Sequence, residues 1–82
     1  MKTVRVSVTK RDIAEGVPLD TQMCPVAIAI RRTTGVFVVD VTDYQFQFDS
    51  GNVDLPKRVA RFVDAFDFGD KVRPFTFTLR VP

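Results

Sequence analysis

The sequence predicts an α+β domain with the element order β-α-α-β-β-α-β. Three observations carry this reading. Apolar and polar residues alternate over Thr3 to Thr9 and again over Phe75 to Val81, as in strands buried on one face. Val59, Phe62, Val63 and Phe66 recur at i, i+3, i+4 and i+7, which is one helical stripe. Pro25, Pro56 and Pro74 stand at the openings of units, and Gly16, Gly35 and Gly69 at their ends.

Each element has its own local reason. Val4, Val6 and Val8 share one face of the first strand, and Thr3, Arg5, Ser7 and Thr9 the other. Thr9-Lys10-Arg11-Asp12 reads as a capping box, with an acid three residues after a hydroxyl. The short helix it starts runs through Ile13-Ala14-Glu15 and is expected to end on a left-handed Gly16. Residues 17 to 23 form a connecting loop. Cys24-Pro25 opens the next helix, whose core Val26-Ala27-Ile28-Ala29-Ile30 is apolar on nearly every side and therefore deeply buried. Arg31 and Arg32 close it, where positive charge suits a helix C-terminus, and Gly35 ends the unit. Residues 36 to 41 read as a strand around Phe37, with a turn between Asp40 and Asp43. Tyr44, Phe46 and Phe48 alternate with Gln45 and Gln47 in the next strand, and Asp49-Ser50-Gly51-Asn52 reads as a turn or loop. The last helix starts at Leu55-Pro56, Gly69 stops it, and the final strand follows Pro74. Strand, crossover, hairpin, helix, strand is the ferredoxin-like order, which predicts a four-stranded antiparallel sheet with helices on one face across a single domain, residues 1–82.

The composition bounds the function. The 82 residues are 45% hydrophobic and 27% charged, one thin-cored domain of ordinary globular composition. The longest apolar run, Val26 to Ile30, falls far short of the roughly 20 residues of a membrane span. No signal-peptide pattern is visible and one cysteine cannot staple the chain, so a cytoplasmic protein is expected. There is no histidine, which removes the Ser-His-Asp and Cys-His nucleophile pairs and all histidine metal sites. The acids, nine Asp and one Glu, show no diagnostic spacing. A non-enzymatic protein with no cofactor and no metal is the expectation.

Two apparent motifs dissolve on inspection. Asp67-Phe68-Gly69 matches the kinase metal triplet without the glycine loop, strand lysine or catalytic loop that give it meaning, and its glycine reads as a helix cap. Residues 49 to 54 look like a calcium loop, but the glycine comes too early and Ala60 stands where a bidentate Glu belongs. Cys24 at a helix start reads as a buried cap in preference to an activated thiol.

The basic residues are more informative. One cluster is Lys10, Arg11, Arg31 and Arg32; the other is Lys57, Arg58 and Arg61 on the exposed side of the last helix. Residues 1 to 35 carry six basic and three acidic groups, +3, whereas the remainder carries six and seven, −1. Such a localised basic half suits a small anionic ligand better than a long nucleic acid, which favours a broad positive stripe. The polar sheet face, with Arg5 and Arg80 among Thr3, Ser7, Gln45, Gln47, Thr76 and Thr78, reads as a solvated face, a phosphate or base site, or a dimer interface. The aromatics of the third and fourth strands fall on the core register, which counts against an RNA-recognition sheet.

Thr9-x-x-Asp12-Ile13-x-x-Gly16 followed by Cys24-Pro25-Val26-Ala27-x-Ala29-x-Arg31-Arg32 resembles a family of small uncharacterised proteins encoded by bacteriophages and prophages. Leu55-Pro56, Phe62, Phe66-Asp67-x-Gly69 and Val72-x-Pro74-Phe75-x-Phe77 extend the resemblance over nearly the whole chain. It lends no catalytic residues. It implies an accessory protein made in the cytoplasm of an infected bacterium. In size and lack of catalytic groups the chain is also similar to phage counter-defence proteins that sequester nucleotide immune signals such as cyclic dinucleotides and ADP-ribose derivatives. The function expected is therefore a homo-oligomeric sponge for a small phosphorylated nucleotide, with Arg31 and Arg32, then Lys10, Arg11, Arg5 and Arg80, as ligand-binding residues. The alternatives are an interaction module or inhibitor of a host protein, and a weak nucleic-acid binder.

Overall fold

The two ends of the chain meet first. In a computed structural model describing residues 2–37 and 39–81, β1 (Lys2–Val8) lies antiparallel to β5 (Phe75–Val81), in register from Lys2 opposite Val81 to Val8 opposite Phe75. Between them run α1 (Lys10–Glu15), α2 (Pro25–Thr34), β2 (Val39–Val41), β3 (Gln45–Phe48), β4 (Gly51–Asp54) and α3 (Lys57–Asp67). The ferredoxin-like order sets the first and last strands side by side, and that pairing and the α+β class are what the chain forms.

The four-stranded ferredoxin-like sheet is not. The strands form two antiparallel sheets, β1-β5 and β2-β3-β4. A single sheet requires β1 to pair with the hairpin, and both edges of β3 are taken. β2 occupies one edge, with Val39 opposite Phe48 and Val41 opposite Phe46, and β4 the other, with Phe46 opposite Val53 and Phe48 opposite Gly51. The connection Asp49-Ser50 is a two-residue hairpin loop, so the stretch expected to be a turn sends the chain straight back as a third strand.

The sheets communicate through side chains instead. Phe46 of β3 stacks on Phe77 of β5 at 5.8 Å between ring centroids. Phe77 stacks on Phe75 at 5.7 Å, Phe75 tilts against Phe62 at 4.7 Å, and Phe62 stacks on Phe66 at 6.4 Å. This aromatic row ties both sheets to α3, each contact adding about 0.5–1.5 kcal/mol beyond the area it buries. α2 is the central helix, packed against β1, β2 and α1, with Val26, Ala27, Ala29 and Ile30 fully buried. The stripe of α3 buries Val59, Phe62 and Val63 as its spacing requires.

Helix ends follow from local chemistry. Thr9 and Asp12 form the reciprocal capping box: the Thr9 amide donates to Asp12 Oδ2 at 2.8 Å and the Asp12 amide to Thr9 Oγ1 at 3.2 Å. α3 ends with Asp70 N–H donating to the Ala65 carbonyl and Gly69 N–H to that of Phe66, Gly69 sitting at φ 89°. Gly16 differs from the expectation. Its φ of −68° is ordinary, and glycine is needed for space: a Cβ there would lie 2.6 Å from Cδ and Cγ of Pro25. Two strand limits shift as well. Tyr44 stands exposed in the turn before β3. Val36 and Phe37 precede β2 as loop, while Val38, included in the expected strand, lies outside the described residues.

Candidate functional site

The C-terminal turn of α2 and the loop that follows it enclose an open cleft of about 710 Å³. Met23, Val36, Phe37 and Val39 give it apolar walls, Gln22 and Gly35 complete its rim, and Arg31 and Arg32 bring charge. Its shape follows from the chain reversal at Gly35, the left-handed cap of α2 at φ 73°. That cap turns the backbone out of the helix and leaves Phe37 89% exposed, a large apolar ring with no partner in the core.

The two arginines differ in what holds them. Arg32 reaches back to α1, where its guanidinium grips both oxygens of Asp12 and donates to the Ser7 carbonyl at 2.8 Å. Asp12 is 1% exposed. Burial pushes its carboxyl pKa up, but the Arg32 hydrogen bonds, the Thr9 amide and hydroxyl and the guanidinium charge together outweigh that and hold it below its ordinary value. Asp12 in turn raises the pKa of Arg32. The pair is a locked fork that ties β1, α1 and α2 together, and its charge is internally neutralised.

Arg31 is held loosely. Among the described residues its side chain makes one hydrogen bond, from Nη2 to the Met23 Sδ at 3.5 Å, and has no carboxylate partner. A thioether is a weak, uncharged acceptor, so the guanidinium keeps its full charge for an incoming anion. The loop carrying Met23 is itself anchored. Val17 N–H bonds to the Met23 carbonyl, Asp20 Oδ1 accepts from the amides of Gln22 and Met23, and Thr21 bonds through its carbonyl and hydroxyl to β2. The wall beside Arg31 that Gln22 and Met23 supply is therefore preformed.

The remaining expected ligand-binding residues do not line this cleft. Lys10 and Arg11 are exposed on α1, Arg11 facing Glu15 at 3.5 Å in an i, i+4 pair that contributes little in water. Arg5 and Arg80 are exposed diagonal neighbours on the outer face of β1-β5, where Ser7 and Thr76 hydroxyls meet at 3.3 Å. Gln45 and Gln47 belong to the other sheet. Val36 and Phe37 escaped notice because a β-branched run around phenylalanine resembles a strand interior, and Met23 because it falls in what reads as a plain connecting loop. Cys24, 2% exposed, caps α2 by accepting the Ala27 amide at 3.4 Å. Burial pushes its thiol pKa up, outweighing the bonds from the Ala27 and Val26 amides. It is a packed cap, as its position predicts. No group of His, Cys, Asp and Glu that could hold a metal ion occurs among the described residues, and none of their helices is long and apolar enough to cross a membrane.

Comparison with protein families, curated proteins and solved structures finds no match to this chain.

Proposed function

We propose that the chain is a non-enzymatic binding protein that takes a small phosphorylated nucleotide into the α2 cleft and withholds it from other proteins. One observation carries this reading: a single un-neutralised guanidinium, Arg31, faces apolar walls that include an exposed aromatic ring, Phe37. A nucleotide has the matching polarity, with a phosphate for the cation and a flat base for the ring. Arg32 contributes wall and rigidity; Arg31 supplies the charge. The resemblance to phage-encoded proteins supports the bacterial cytoplasm as the setting, the likeness to counter-defence proteins in size and lack of catalytic groups supports an immune-signal nucleotide as the cargo, and assembly into a homo-oligomer would give the open cleft a further wall.

The test is native mass spectrometry of the protein purified from bacterial cells and then challenged with cyclic dinucleotides and ADP-ribose derivatives. A retained nucleotide mass that disappears in Arg31→Ala is expected. A bare protein indifferent to the whole panel would contradict the reading. A second reading, docking on a host protein, is favoured by Leu19 and Phe68, 81% and 85% exposed, the Leu19 amide donating at 2.9 Å to Oδ1 of Asp67, the residue before Phe68.

A further inference from the structure

The basic cluster of the last helix is not absorbed by that function. A second concavity of about 350 Å³ lies between α3 and the segment entering β5, lined by Arg58, Arg61, Phe62, Arg73, Pro74 and Phe75. Arg58 and Arg61 fall at i, i+3 on one helix face, and Arg73 faces them from the other wall. No carboxylate lines the concavity, and none of the three arginines forms an ion pair among the described residues. Three like charges thus converge without compensation, an arrangement that an anion relieves.

The geometry also narrows the anion. Arg58 lies over Phe75, its guanidinium 6.0 Å from the ring centroid and 3.5 Å from the Thr76 carbonyl oxygen. That covers the ring face on which a base would stack, and the other aromatic, Phe62, is buried. What is left is guanidinium chemistry: planar forks that match phosphate oxygens. We infer that this concavity is a second anion site, independent of the α2 cleft, that binds a short oligophosphate through Arg61 and Arg73, with Arg58 lining it over Phe75.

The experiment is isothermal titration of the whole protein with sodium tripolyphosphate at constant ionic strength. Saturable binding is expected, weakened about a hundredfold by Arg61→Ala/Arg73→Ala, since each of the two lost charge-assisted bonds is worth roughly tenfold. Both side chains are exposed, so this variant should melt close to wild type. Arg61→Lys/Arg73→Lys, which keeps charge but loses the forks, is expected to bind several-fold more weakly than wild type. The binding that depends on Arg61 and Arg73 is expected to persist in Arg31→Ala, which removes only the phosphate contact of the α2 cleft, and this separates the two sites. No saturable binding, an affinity indifferent to Arg61 and Arg73, or loss of binding on Arg31→Ala would each overturn the inference.

Discussion

Asp12 is the residue on which local and tertiary structure meet. It closes the capping box of α1 and receives the fork of Arg32, so one buried carboxylate serves a helix start and a three-element junction. Asp12→Asn is expected to cost about 2 kcal/mol at neutral pH, the scale of a hydrogen bond to a charged group. The pH dependence has a definite sign. The folded carboxyl titrates below its unfolded value, so its stabilisation is complete above about pH 4 and fades as the pH falls through the folded pKa. Urea unfolding of wild type and Asp12→Asn should therefore show a stability gap that is widest near neutrality and closes below pH 4. A gap constant from pH 7 to pH 3 would show that the carboxylate charge is not what matters. Cys24 gives a second check at this scale. Buried and with its pKa raised, it is expected to resist a thiol reagent at pH 8 in the native protein and to react at once in denaturant. Adjacent arginines carry the sharpest division of labour. Consecutive residues on a helix project about 100° apart, so Arg32 meets Asp12 and Arg31 meets the cleft. Which of the two is captured was not readable from the sequence, because the capturing acid lies twenty residues away.

At the scale of elements, the signals that proved legible were local ones. The capping box, the Cys24-Pro25 opening, the α3 stripe and the alternation of β1 and β5 are each written within a few neighbouring residues, and each forms as read. β4 was not legible because Gly-Asn-Val-Asp contains one apolar side chain, the half-buried Val53; it is an edge strand held by backbone pairing to β3. Gly16 shows a subtler limit. A glycine after a short helix suggests a left-handed cap, yet its role is to let Pro25 approach, a contact between α1 and α2 that no local pattern records. Gly16→Ala is accordingly expected to destabilise the fold by about 1–3 kcal/mol through overpacking, although its φ suits alanine. Thermal or chemical unfolding would measure it, and a neutral or stabilising result would mean that the Pro25 ring moves aside freely.

For the molecule as a whole, the α+β class was legible and the sheet arrangement was not, because the choice between one sheet and two depends on which strand takes the second edge of β3, a competition between distant segments. The same division separates the charges. The basic half read from the sequence gathers Lys10, Arg11, Arg31 and Arg32 near α1 and α2, but only Arg31 keeps an un-neutralised charge in a cleft; the remaining half, net −1 by count, holds the three converging arginines beside Phe75. Net charge per segment thus conceals where cations converge. The central claim is that a nucleotide seats its phosphate on Arg31 and its base against Phe37. The most direct measurement is a backbone amide shift map of the protein on titration with the nucleotide it retains from cells, or with a cyclic dinucleotide if it retains none. Shifts concentrated on residues 22–23 and 31–37 and Val39, abolished by Arg31→Ala and reduced by Phe37→Ala while the melting temperature stays within a few degrees, are the expected result. Shifts centred on the outer face of β1-β5, or a spectrum unchanged at millimolar nucleotide, would contradict it.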